Sequence, residues 1–399
     1  MPEPAVKGAT EVRALLADEL RLPPGVVGGR RVPRRSLVAV AMSGGVDSAV
    51  AAALCVGAGV EAVGVTMRLW GDQVMDRGEG GCCSADAVED ARRVCARLGI
   101  PHYTLNLERH FRETVVADFL QQYGSGRTPN PCIRCNERVK FSELLRRLTR
   151  VGVSHVASGH YARVRQRRDG RCTLHRGADS AKDQSYTLYR TAQHELQRLL
   201  LPLAGLHKPQ VRRLAALLGL GLARKPDSQE LCFVSGQDHR RLLAEQLQGE
   251  FEEGAIRDLE GRRLGRHRGL PFYTVGQRHG LGLRPGRPDA DPQYVLSLDP
   301  KSNSVVVGDW ASLLQGSCRV ESTTTLDPET GATLRGHAQL RAHGRPVGAS
   351  WRSLGPGWAE VRFARPQAAL SPGQSLVLYQ RDRVVAGGEI AAPPAPGSH

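Results

Sequence analysis

Residues 36–42, SLVAVAM, form the first uninterrupted apolar run, and its length suits a buried strand. The Ala-rich stretch 48–57 predicts a helix and 60–67 a second strand. Ser84 can cap a helix whose apolar positions Val88, Ala91, Val94, Cys95 and Leu98 repeat with the 3.6-residue period, and Gly99 closes it. Residues 100–107 predict a third strand, 111–123 a helix and 155–158 a fourth strand. Parallel strands need helix-length crossovers, so this alternation predicts an α/β fold with a doubly wound parallel sheet. Residues 161–177 predict a hairpin turning at Asp169-Gly170.

The pattern changes after about 235. A short helix is expected at 239–247, then Gly- and Pro-rich turns to 292, then short alternating strands that include 358–363, 375–379 and 383–390. Evenly spaced short strands predict a small β-barrel. Residues 1–34 end in GGRRVPRR and predict a poorly ordered extension. The expected organisation is an extension at 1–34, an α/β domain at 35–235, a small central domain at 236–310 and a β-barrel at 311–393.

With 40% apolar and 24% charged residues, the 399-residue chain can bury cores and is not disordered throughout. Gly, Pro and Arg interrupt every apolar stretch before the roughly 18 residues a membrane helix needs, so a soluble protein with no membrane partner is expected. The formal charge of +15 suits a polyanion, most commonly nucleic acid. A GC-rich coding bias would explain Arg over Lys, but not the excess of bases over acids. The nine cysteines are an odd number, and the first 36 residues hold no apolar core of a secretory signal. A reducing cytoplasm is therefore expected, where close cysteine pairs are candidates for metal, cluster or catalytic chemistry.

SGGVDS at 43–48 falls where the first strand gives way to the first helix. Gly44 and Gly45 let the backbone turn tightly and aim its N–H groups inward, followed by Val46. Ser43 and Ser48 add hydroxyl donors, and the helix N-terminus adds its positive dipole end. These features describe a pyrophosphate cradle, with Asp47 able to hold a magnesium ion on the phosphates. The loop lacks the Gly-Lys-Ser/Thr of a Walker A motif and is not a dinucleotide fingerprint. It resembles the PP-loop of enzymes that cut ATP between the α and β phosphates to adenylate a substrate. That resemblance implies that Met67, ending the second strand, and Gly159, ending the fourth, line the adenosine pocket.

RTPNPCIRCN at 127–136 predicts a Pro-stiffened loop with C-x-x-C at its tip, ahead of a helix starting near Phe141. Zinc is one reading of Cys132 and Cys135, but a structural zinc site normally uses two such pairs and the chain has no second. A distant Cys232 lies in KPDSQELCF. SGGVDS, GRTPNPC-x-x-CN, ASGHYAR, AKDQSYTLY, KPQVRRLA, DSQELCF, YTVGQRHGLG and PGQS follow one another over 37–390. In this order they are similar to the motifs of tRNA-specific 2-thiouridylases.

The resemblance implies ATP-dependent 2-thiolation of the wobble uridine of tRNA, on a PP-loop catalytic domain, a small central domain and a C-terminal tRNA-binding β-barrel. It implies that Cys232 carries a persulfide delivered by a sulfur-donor protein, a cysteine desulfurase or a relay protein. Cys135 would be its catalytic partner. Asn130, Pro131 and Cys132 would meet the target base, extruded from its stack. His160, Lys182, Asp183, Gln184, Arg341 and Gln374 would contact tRNA elsewhere. A uridine C2 oxygen leaves only once it is adenylated, and the sulfur nucleophile that then attacks C2 is effective as a thiolate.

Two departures stand out: Ala342 follows Arg341 where the family often has Tyr, and Cys132 stands where many members carry Asp. Three cysteines could also hold a 4Fe–4S cluster with one iron open for hydrosulfide, so persulfide relay and cluster both remain open. Cys82 and Cys83 have no role derivable from the sequence, and Cys55, Cys95, Cys172 and Cys318 read as structural. Other readings are a different PP-loop enzyme, of the amidotransferase or lysidine-synthetase type, and a non-catalytic, metal-stapled RNA-binding protein. The first would not depend on thiols and the second would not turn over ATP.

Overall fold

The computed structural model describes residues 8–20, 23–70, 85–227, 232–234, 242–243, 252–283, 292–326 and 332–393. Cys82, Cys83, the expected Ser84 cap and most of the expected 239–247 helix lie outside them. The described residues divide into two compact bodies. One draws on 1–115, 132–236 and 382–384, the other on 116–131, 237–381 and 385–399.

The first body opens with helix α1 (Ala9–Leu20) and the short strands β1 (Val26–Val27) and β2 (Arg30–Arg31). Then come β3 (Leu37–Met42), α2 (Val46–Gly57), β4 (Glu61–Arg68), α3 (Ala85–Leu98), β5 (His102–Asn106) and α4 (Glu108–Phe111). Strand β6 (Val153–Ser158), the hairpin β7 (Ala162–Gln166) and β8 (Cys172–Arg176), and the short β9 (Leu199–Leu200) follow. The sheet runs β5-β4-β3-β6-β9 with every pair parallel. Its order reverses between β3 and β6, the position where ligands bind in open α/β sheets. Helix α2 is buried along nearly its whole length, which explains why its sequence is small and apolar on every side.

Residues 9–20 and 23–34 are not the loosely ordered segment that the Gly- and Arg-rich end of 1–34 predicts. Val12 and Leu16 of α1 are completely buried in the same core as α2. Leu16 fills the space left by the missing side chain of Gly57: a Cβ there would lie 2.6 Å from Leu16 Cδ1. Arg13 Nε donates to Val56 O at 3.1 Å, serving a carbonyl at the open end of α2. Arg30 is buried, and its guanidinium donates to the carbonyls of Leu196 (3.0 Å), Gln197 (2.8 Å) and Leu199 (2.7 Å). Arginine on this hairpin is a structural clamp, which composition alone reads as solvated charge.

A second correction concerns the C-x-x-C segment. It is helical rather than a loop tip: Pro131–Arg134 makes the first turn, Cys135–Glu143 continues with π-helical spacing, and Leu144–Thr149 finishes it. Proline at the first helical position loses no needed hydrogen bond and has its φ preset, so Pro131 starts the helix instead of stiffening a loop.

In the second body, strands Arg263–His267, Gly254–Arg257, Ser304–Gly308 and Tyr294–Asp299 form a four-stranded sheet in that order. It packs its own core on Ile256, Val295, Val305 and Val307. Six longer strands close into a barrel: Gln315–Thr325, Trp358–Gln367, Val347–Gly355, Thr333–Gln339, Ser375–Gln380 and Arg383–Ile390, the last pairing with the first. Closure removes the unpaired edges that an open sheet would expose.

Candidate active site

Strand β3 delivers the chain to Ser43, and α2 begins three residues later. Gly44 has φ +67°, and a Cβ on it would lie 2.4 Å from Ala87 O, so this position needs glycine twice over. Ser48 Oγ accepts from Ser43 N (3.2 Å) and donates to Gly45 O (2.9 Å), folding the loop over the first turn of α2. Val46 is buried beneath it. Gly159, just past β6, touches the loop directly: a Cβ there would sit 2.8 Å from Asp47 C and Ser48 N. Met67 lies buried at the end of β4, the strand beside β3. The structure thus gathers the SGGVDS loop and Gly159 at the switch point between β3 and β6.

The cation at Asp47 is an ammonium group. Lys208 Nζ lies 2.8 Å from Asp47 Oδ1 and 2.7 Å from Oδ2, and Tyr161 OH donates to Oδ1 at 2.7 Å. Burial and the hydrogen bond to Asp47 push the Tyr161 phenol far above its ordinary pKa, so it stays a donor. Lys208 also lies 2.8 Å from Asp227 Oδ1, and Lys182 holds Asp227 Oδ2 at 2.8 Å. Arg212 adds a third cation to Asp227 at 2.9 Å. Burial would raise the Asp227 pKa, but the hydrogen bonds from Lys182 and Lys208 outweigh it and hold the carboxyl at about 2. With Lys208 and Tyr161 engaging both of its oxygens, Asp47 does not fit a resident magnesium ion, and the expected magnesium on the phosphates would arrive with ATP. The magnesium that travels with ATP belongs to the substrate.

Sequence reading missed Lys208, Asp227 and Tyr161 as site residues. Each sits inside a matched motif, KPQVRRLA, KPDSQELCF and ASGHYAR, but only folding brings their side chains onto the phosphate loop. Lys225 is a further case: its Nζ donates to Gly44 O at 3.0 Å while paired with Asp90 at 2.6 Å.

Of the three cysteines, Cys132 is exposed, Cys135 is 5% exposed and Cys232 is half-buried. Phe233, next to Cys232, packs on Phe111 of α4 at 5.7 Å and on Trp70 at 6.2 Å between ring centroids. The helix that begins at Pro131 packs on the same region: His110 meets Arg138 O at 3.2 Å, and Arg138 donates to Thr114 O at 2.9 Å. The Cys135 helix and the Cys232 segment therefore both dock on the short helix around Phe111. Among the described residues no three His, Cys, Asp or Glu side chains gather as a metal-binding set.

The residues expected to meet RNA divide by environment. His160 stacks near Phe141 of the cysteine helix (5.7 Å) and bonds Ser158 Oγ through Nδ1. Burial, with the charge of Lys140 adding, depresses its pKa to about 3, so the imidazole is neutral at physiological pH. Asp183 is buried, and Arg176, Gly177 N and Ser185 engage its carboxylate. Gln184 Oε1 accepts from Tyr161 N at 3.0 Å. Both residues thus hold the Tyr161 region together, while Lys182 keeps a part-exposed ammonium. In the second body, Gln374 Nε2 donates to Thr128 O at 2.9 Å and Thr128 N donates to Pro372 O at 2.7 Å. Gln374 thereby fastens the segment that carries half-buried Asn130 to the barrel. Arg341 is exposed at a turn on the barrel.

Three family models match the chain in sequence. They are a tRNA methyl transferase HUP domain over 36–236, a tRNA methyl transferase PRC-barrel domain over 240–309 and an aminomethyltransferase beta-barrel domain over 316–390. The tRNA-specific 2-thiouridylase MnmA of Heliobacterium modesticaldum is 45% identical over 360 residues, covering 89% of this chain and 92% of that protein. That of Chloroflexus aurantiacus is 46% identical over 357 residues, covering 89% and 98%. A solved U34-tRNA thiolase, NcsA of Methanococcus maripaludis, is 16% identical with a TM-score of 0.34, covering 60% of this chain and 74% of that one, too slight a likeness to argue from. With two close relatives matched over nearly their full length and the phosphate loop and cysteines in place, the chain belongs to the tRNA-specific 2-thiouridylase family of PP-loop enzymes.

Proposed function

We propose that the protein thiolates the wobble uridine of tRNA at C2 through a relay between Cys232 and Cys135. The observation that carries this reading is the docking of both cysteine segments on one short helix, in the body that also holds the phosphate loop. The uridine C2 oxygen attacks the α-phosphorus of ATP and the bond to the α–β bridging oxygen breaks. Pyrophosphate leaves into the SGGVDS cradle, and N3 gives up its proton. Backbone N–H groups and the α2 dipole, fixed before reaction, stabilise the charge that builds on the leaving phosphates.

A sulfur-donor protein charges Cys232 as a persulfide. Its terminal sulfur attacks C2, and AMP departs with the former oxygen. The Cys135 thiolate then attacks Sγ of Cys232, the S–S bond breaks, and the terminal sulfur stays on C2 as N3 regains a proton. Cys135 and Cys232 finish as a disulfide, which an external thiol must reduce. Cys132 takes no part in this relay. Asn130 and Pro131 meet the target base, and Lys182 and Arg341 take tRNA phosphates. A disulfide that must be reduced after each turnover suits a reducing compartment such as the cytoplasm.

The relay separates ATP chemistry from sulfur chemistry. Cys232→Ser is expected to abolish thiolation while tRNA-dependent pyrophosphate release continues for at least one turnover. Cys132→Ala is expected to thiolate like wild type. Loss of thiolation in Cys132→Ala, or normal thiolation in Cys232→Ser, would contradict the relay.

A further inference from the structure

Lys182 and the phosphate loop are joined by an unbroken chain of ion pairs. From the part-exposed end it runs Lys182–Asp227 (2.8 Å), Asp227–Lys208 (2.8 Å) and Lys208–Asp47 (2.7 Å). The Lys208 ammonium stands between two carboxylates at nearly equal distance, and its side chain is only 10% exposed. It has no room to leave for solvent, but a small displacement moves it from one carboxylate to the other. Its backbone is fixed independently, because Lys208 N donates to Asp179 Oδ2 at 2.9 Å. The outer cation is less constrained: the Lys182 side chain is 41% exposed.

We propose that this chain couples tRNA binding to nucleotide binding, with Lys208 as a positioning residue that shuttles between Asp47 and Asp227. Without tRNA, Lys208 neutralises Asp47 and the loop binds magnesium–ATP weakly. An RNA phosphate at Lys182 draws that ammonium from Asp227, leaving one carboxylate oxygen without its cation. Lys208 moves toward Asp227, and the Asp47 carboxylate becomes available to the magnesium carried by ATP. Arg212, on the same Asp227 oxygen as Lys208, keeps the Asp227 charge partly compensated throughout. ATP would then be consumed chiefly when the base to be modified is present. The coupling is reciprocal by thermodynamic necessity: whatever factor tRNA adds to nucleotide affinity, nucleotide adds to tRNA affinity.

This inference rests on the thiolation reading, and equilibrium binding tests it separately from catalysis. The probe is a magnesium complex of a non-hydrolysable ATP analogue, titrated with and without saturating tRNA. In wild type, tRNA is expected to tighten analogue binding by about fivefold or more, the lower end of typical couplings. Lys182→Met should bind the analogue without tRNA nearly as tightly as wild type does with it, and saturating tRNA should add little. Lys182→Arg should restore the wild-type response. Asp227→Asn should bind the analogue weakly in both conditions, since Lys208 then stays on Asp47. Wild type that thiolates tRNA yet shows no tightening would overturn the coupling alone. So would Lys182→Met that keeps the full wild-type tightening. Wild type that thiolates nothing would overturn the function reading itself.

Discussion

Gly159 has room for a hydrogen and nothing larger, because any Cβ would press on the peptide between Asp47 and Ser48 at 2.8 Å. The obstruction is backbone, so Gly159→Ala must displace the phosphate loop rather than a side chain. A misplacement of about 1 Å can cost on the order of a hundredfold in rate, so pyrophosphate release at fixed ATP should fall about tenfold to a hundredfold. Steady-state pyrophosphate assays check this, with circular dichroism showing an intact fold. His160 makes a second residue-scale prediction. Its folded pKa of about 3 lies below the ordinary 6.5, so between those values the unfolded chain binds a proton that the native protein does not. Stability should fall as pH drops from 6.5 toward 3, and the loss should end below that range. Melting temperatures from pH 7 to pH 4 should show this slope in wild type and a shallower one in His160→Asn; equal slopes would assign the acid sensitivity elsewhere.

At the scale of elements, the α1 helix is the test of how the first body is held. Leu16 is completely buried against α2, so Leu16→Ala should cost about 2–5 kcal/mol. Denaturant unfolding would measure it, and a loss below about 1 kcal/mol would show that α1 is peripheral. Removal of residues 1–34 should destabilise the phosphate-loop helix for the same reason. The sequence underrated this segment because its Gly-, Pro- and Arg-rich end resembles solvated, weakly ordered chain, although its apolar content matches that of the whole protein. Four of the five strands of the parallel sheet were legible as apolar runs of strand length separated by helix-length segments; β9 was not, because two residues carry no pattern. The start of the cysteine helix was not, because Pro in a run of polar residues signals a turn as readily as a first helical turn. The SGGVDS loop and the two cysteines proposed for the relay could be read from local motif. Lys208, Asp227 and Tyr161 could not, since their meeting depends on long-range packing that no local spacing encodes.

For the whole molecule, the charge of +15 predicts tRNA affinity that falls linearly in log–log form with salt. Arg341→Ala removes an exposed barrel cation and should reduce that slope by about 1, leaving pyrophosphate chemistry at saturating tRNA unchanged. Filter binding across salt concentrations measures the slope, and an unchanged slope would take Arg341 off the RNA surface. The central claim is that one chain joins ATP activation of a tRNA uridine to delivery of sulfur by Cys232 and Cys135. Its most direct test is mass analysis of nucleosides from tRNA incubated with the protein, magnesium–ATP, a thiol reductant and a persulfide donor. The account predicts 2-thiouridine at the wobble position with wild type, and none when ATP is omitted or when either Cys135 or Cys232 is replaced by Ser. Unmodified uridine with the wild-type protein, or thiolation that persists without ATP or without either thiol, would contradict it.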